Sequence, residues 1–141
     1  MEQLIEFITN HIILTSAFFA LSVLLLMDIF GASLRGFQSA SPSEATQLIN
    51  REDAVVLDIR EDNEYLSGHI VNSLHIPLNF LNDRVAELEK HKAKPIIVGC
   101  RSGSRSSKAC SMLKKQGFEN IYNLKGGLMA WQHANLPITK G

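Results

Sequence analysis

The chain has 141 residues with 14 basic and 14 acidic side chains, so no basic excess marks it for nucleic acid. Its two cysteines are too few for a disulfide framework and fit a reducing compartment. All 14 basic side chains but only 11 of the 14 acidic ones lie from Arg35 onward, which gives residues 35–141 a net charge of +3. A mildly basic domain of that kind hints at anionic substrates.

Residues 1–6 form a short tail with two Glu and no basic residue. From Phe7 to Met27 run 21 residues without a formal charge, interrupted only by Asn10 and His11. A helix of that length covers about 30 Å, the thickness of a hydrocarbon core. The run lacks the alternating faces of a helix packed on a globular core, and a cleaved signal peptide would carry basic residues before it. The reading is an uncleaved transmembrane helix over residues 7–30. Arg35 follows the span and nothing basic precedes it, so the positive-inside rule orients residues beyond it toward the cytoplasm.

Residues 31–40 are rich in Gly, Ala and Ser and read as a flexible linker, part of which can pair as a short first strand. Ser41-Pro42-Ser43-Glu44 is a capping box with proline at the first helical position, opening a helix to about residue 50. Ala54-Val55-Val56-Leu57-Asp58 is a short apolar run, a buried strand. Residues 61–67 suit a short helix stopped at Gly68, residues 73–76 a strand stopped by Pro77, and residues 83–90 a helix. Pro95-Ile96-Ile97-Val98-Gly99 is the clearest strand. Residues 105–116 form a helix ended at Gly117, residues 120–124 a last strand, and residues 127–134 a last helix. Such alternation predicts an α/β domain with a mainly parallel sheet covered by helices on both faces.

In open parallel sheets, ligands bind beyond the carboxyl ends of the strands. Cys100 stands at such an end and opens the segment Cys100-Arg101-Ser102-Gly103-Ser104-Arg105-Ser106 before a helix. Unpaired amides and the helix dipole favour an anion there, and the same features lower a thiol's pKa. Cys100 is therefore the candidate nucleophile. Gly103 lets the loop reach positive φ, Ser102, Ser104 and Ser106 add hydroxyls, and Ser106 reads chiefly as a helix cap. Cys110 lies further along the helix and reads as core. So does Trp131. Asp58 and Arg60 suit an ion pair or loop anchor, while His69 and His75 read as structural histidines, without ligand spacing for a metal.

Taken together, Asp58-Ile59-Arg60, Glu64-Tyr65-Leu66-Ser67-Gly68-His69-Ile70, Ile76-Pro77, the Cys100-to-Arg105 loop, Gly126-Gly127 and Trp131 resemble a single rhodanese-like domain of the bacterial membrane-anchored type. The resemblance places that domain at residues 41–141. The Cys-x₄-Arg spacing is one residue shorter than the Cys-x₅-Arg loop of cysteine phosphatases. At Val71-Asn72-Ser73 the chain departs from the family's Gly-Ala pair, and Asn72 can stand for the glycine because Asn tolerates a left-handed backbone.

The resemblance implies a sulfurtransferase without a cofactor or metal. Cys100 would take the sulfane sulfur of a donor such as thiosulfate and pass it to a thiol or protein cysteine. Arg101 and Arg105 would hold the donor's oxygens, with Ser102, Gly103 and Ser104 completing the substrate loop. The partners implied are that donor, that acceptor and, through the first helix, the lipid of the bacterial inner membrane, with the domain on the cytoplasmic side. Two other readings stand beside it: a membrane-tethered docking module with little turnover, and an oxyanion phosphatase or arsenate reductase, disfavoured by loop length.

Overall fold

The computed structural model describes residues 1–141, apart from the side chains of Ala32 and Ser33. Two compact units divide the chain, Met1–Leu34 and Arg35–Gly141.

The first unit is helical. Helix α1 (Glu2–Asn10) stops at His11, whose φ of −126° leaves the helical region, and α2 (Ile12–Arg35) follows. The apolar segment is therefore not one helix from residue 7 but a helix that restarts after the polar pair Asn10 and His11. Within α2, Ile12–Gly31 gives 20 residues of mean hydropathy 2.3, none of it buried in protein. That is long enough to cross a bilayer, at about 1.5 Å per residue against about 30 Å of hydrocarbon.

The second unit begins within the stretch read as linker. Its first strand, β1 (Gln38–Ala40), is followed by α3 (Pro42–Glu52) and β2 (Val55–Asp58). Residues 31–40 are thus helix as far as Arg35 and strand from Gln38, because the backbone of β1 finds partners on a neighbouring strand. A short α4 (Asp62–Leu66), the two-residue strands β3 (His69–Ile70) and β4 (Leu74–His75), and α5 (Leu81–Arg84) come next. Val85–His91 continues as a 3₁₀ helix where an α-helix over 83–90 is expected. Then come β5 (Ile96–Gly99), α6 (Ser104–Lys115), β6 (Ile121–Leu124), α7 (Gly127–His133) and β7 (Ile138–Thr139).

Five strands form a parallel sheet in the order β1-β6-β5-β2-β4, with β5 in the middle. A small antiparallel pair, β3 with β7, lies apart. Side chains alternate across a strand, and the core follows that period. Val56 and Ile97 pack toward α3 and α7 with Ala45, Leu128 and Trp131. Leu57, Ile96 and Val98 pack the other way, with Leu81, Leu88, Ala109, Cys110 and Leu113. Cys100 continues the Ile96–Val98 series into that second cluster. The period of β5 thereby carries the thiol to the α6 side of the sheet.

Candidate active site

Register sets the frame. Asp58 lies opposite Gly99 across β2 and β5, and Val98 lies opposite Asn123 across β5 and β6. Cys100 begins where the central strand stops, and the chain turns through Gly103 into α6. Gly103 has φ 105°, and an added Cβ would meet nothing closer than 3.6 Å. The glycine is required by backbone angle and not by lack of room.

Cys100 Sγ accepts from the Gly103 N–H at 3.0 Å and from the Ser106 N–H at 3.4 Å. The Ser106 hydroxyl lies 3.4 Å from the same sulfur. These amides are free for it because the first N–H groups of a helix have no partner within the helix. The loop carbonyls point elsewhere: Leu128 N donates to Cys100 O at 2.8 Å and Met129 N to Arg101 O at 3.1 Å. Gly127 makes that approach possible, since a Cβ there would lie 2.5 Å from Cys100 O.

With 1% exposure, Cys100 is almost wholly shielded from water. Burial pushes the thiol up, but the Ser106 hydroxyl and the amides of Ser106, Gly103 and Ser102 together outweigh it, so its pKa falls below the ordinary value. Cys110 behaves oppositely: burial, with Cys100's charge adding, pushes it up to about 12. It remains a protonated core thiol.

Comparisons with known proteins identify the domain that carries this cradle. The profile for the rhodanese-like domain matches residues 41–134. The chain belongs to the rhodanese-like family. Along its full length, its rhodanese domain and apolar helix together are 38% identical to the uncharacterized protein YibN of Escherichia coli (strain K12), covering 100% of this chain and 99% of that one. The thiosulfate sulfurtransferase GlpE of Pseudoalteromonas translucida is 38% identical over 100 residues, covering 70% of this chain and 91% of its own. A rhodanese-related protein from Thermoplasma volcanium superposes with a TM-score of 0.68 at 30% identity, over 74% of this chain and 100% of that one.

Around the rhodanese loop the expected residues separate into two groups. Arg101, Ser102 and Ser104 are exposed, and Arg101 lines a cleft of about 510 Å³ with Arg60, Asn63, Glu64, Met129 and His133. Arg105 instead turns to Glu64, donating through both terminal nitrogens at 2.8 and 2.9 Å. The Arg105 guanidinium holds the Glu64 carboxyl down to about 2. Arg105 is raised in return, chiefly by Glu64, with Cys100 a smaller contributor.

Asp58 and Arg60 form a buried ion pair, Arg60 Nη2 to Asp58 Oδ2 at 2.7 Å, and the same nitrogen donates to Gly68 O at 2.8 Å. Tyr65 is stacked between His69 and His75, ring centroids 3.7 and 4.1 Å away. Asn72 has φ 63°, the left-handed backbone its position calls for. Trp131 is buried and donates from Nε1 to Pro137 O.

Two polar residues do more than the sequence suggested. Ser106 is not the cap of α6, which is Gly103; it is fully buried, lies inside the first turn and touches the sulfur. Asn123 bonds to the loop and to that turn. Its signal was a polar side chain inside the apolar strand Ile121-Tyr122-Asn123-Leu124, in step with Ile121, which faces α6.

Proposed function

We propose that the protein is a rhodanese-type sulfurtransferase that carries a sulfane sulfur as a persulfide on Cys100. The observation that carries this reading is the convergence of the Gly103 and Ser106 amides on Cys100 Sγ. The relatives named sulfurtransferase support the reaction class. In the first half-reaction the Cys100 thiolate attacks the outer sulfur of thiosulfate. The S–S bond of the donor breaks, sulfite leaves with its electron pair, and Cys100 keeps an anionic persulfide. In the second, a thiophilic acceptor attacks the terminal sulfur and Cys100 leaves as thiolate. Both resting and loaded forms carry negative charge on sulfur, and fixed amides stabilise that charge strongly where water is excluded.

In this reading Arg101, exposed on the cleft, holds the donor's oxygens, a role that suits a guanidinium, and the exposed Ser102 and Ser104 of the same loop supply further hydroxyls. Arg105 contributes its charge while its terminal nitrogens are bonded to Glu64. The apolar helix is read as a single-pass anchor in the bacterial inner membrane, with the domain on the cytoplasmic side. The length of Ile12–Gly31 and the position of Arg35 support that placement.

The near-complete burial of Cys100 is the observation that favours a docking module with little turnover. One experiment separates the readings. The full chain in detergent is given thiosulfate and cyanide, with p-nitrophenyl phosphate as control substrate. Thiocyanate formation that disappears in Cys100→Ser is expected. Phosphate release, or neither product, would overturn the sulfurtransferase.

A further inference from the structure

Asn123 is 8% exposed and spends its whole carboxamide on the Cys100 loop. Nδ2 donates to Gly103 O at 3.1 Å and to Ser107 Oγ at 3.2 Å, and Oδ1 accepts from the Ser106 hydroxyl. A carbonyl oxygen only accepts, so Gly103 O fixes which end of the amide is nitrogen, and Ser106 must then donate to Oδ1. Gly103 O also receives the Ser107 N–H at 3.2 Å and lies 3.1 Å from the Ser106 hydroxyl, a longer contact than the one that hydroxyl makes to Asn123 Oδ1.

The single hydroxyl hydrogen of Ser106 has consequences for the sulfur. In the neutral state Cys100 S–H donates to Ser106 Oγ, and Ser106 donates onward to Asn123. Once the thiol ionises, Asn123 Oδ1, Gly103 O and the sulfur compete for that one hydrogen. The N–H groups of Gly103 and Ser106 each carry one hydrogen fixed in the peptide plane, and both point at the sulfur. Asn123 bonds to the residues that carry both N–H groups, though not to those peptides themselves: it holds the Gly103 carbonyl and the hydroxyls of Ser106 and Ser107 in the first turn of α6.

We propose that Asn123 is a positioning residue for Cys100, its carboxamide holding the Gly103 carbonyl and the Ser106 and Ser107 hydroxyls so that the loop and the first turn of α6 stay where two N–H groups converge on the sulfur. The inference rests on Cys100 being the nucleophile. It is tested by thiol chemistry that needs no sulfur transfer. Cys110 is pushed up to about 12, so the thiolate that forms first as the pH is raised belongs to Cys100.

The full chain in detergent is titrated by ultraviolet thiolate absorbance and alkylated with iodoacetamide, as parent, Asn123→Leu and Ser106→Ala. Leu keeps the branched outline, with a larger volume, and removes all three hydrogen bonds. The expected result is a midpoint raised by about one pH unit in Asn123→Leu, hence alkylation about tenfold slower below the midpoint. The rate recovers above the new midpoint, with an unchanged circular dichroism spectrum. Ser106→Ala, which leaves the Asn123–Gly103 bond intact, shifts less. An unshifted midpoint in folded Asn123→Leu, or a shift in Ser106→Ala at least as large, would overturn the positioning role. Should Asn123→Leu fail to fold, Asn123→Ser takes its place under the same two comparisons. A parent midpoint at or above the ordinary thiol range would instead overturn the reading of Cys100 itself.

Discussion

Arg105 and Glu64 come from different elements, α6 and α4, and meet in a two-bonded ion pair whose side chains are 37% and 26% exposed. Partial exposure screens the pair, so its worth is about 1 kcal/mol and not the full value of its pKa shift. Glu64 falls from 4.5 unfolded to about 2 folded, so its contribution is complete above 4.5 and disappears as pH drops toward 2. Glu64→Gln is accordingly expected to destabilise the protein by about 1 kcal/mol at neutral pH, with the gap from the parent narrowing in acid. Urea denaturation at the two conditions measures it; an equal gap at both would show that the carboxylate is not the source. This pairing was not legible in the sequence, where Arg105 reads as a ligand for donor oxygens. Its partner lies 41 residues away, and no local pattern encodes such a contact. Cys100, Gly103 and the Asp58–Arg60 pair were legible, because strand end, loop glycine and neighbouring opposite charges are local signals. The bonds from Asn123 to Gly103 and Ser106 depend on the pairing of β6 with β5, which only the folded sheet supplies.

Among the elements, α3 was the most legible. Its capping box forms as written, with Ser41 Oγ accepting from Glu44 N and Glu44 Oε2 from Ser41 N. The buried strands β2 and β5 were also plain, since both faces of a central parallel strand must be apolar. Less legible was β1: three residues, two of them exposed, carry no hydrophobic pattern, and the strand exists through its pairing with β6. The break at His11 was equally hidden, because an uncharged run shows where apolar residues lie and not where the helix interrupts itself. For α2 the prediction concerns the bilayer. The full chain should stay with the membrane fraction through a carbonate wash, because roughly 20 apolar residues suffice to span a hydrocarbon core. Recovery in the aqueous phase would contradict the anchor.

At the scale of the molecule, fold and chemistry have one origin. A parallel sheet leaves its ligand site beyond the strands' carboxyl ends. With the order β1-β6-β5-β2-β4, the middle of that edge belongs to β5 and so to Cys100. Helix α6 brings unpaired amides to the sulfur from one side, while the first turn of α7 binds the carbonyls of Cys100 and Arg101. The persulfide on Cys100 is the claim on which the proposed activity stands, and mass spectrometry of the intact chain after thiosulfate treatment tests it most directly. The parent should gain the mass of one sulfur atom, lost again on adding cyanide, and Cys100→Ser should gain nothing. A parent that gains no sulfur, or a Cys100→Ser chain that gains it equally, would contradict the account.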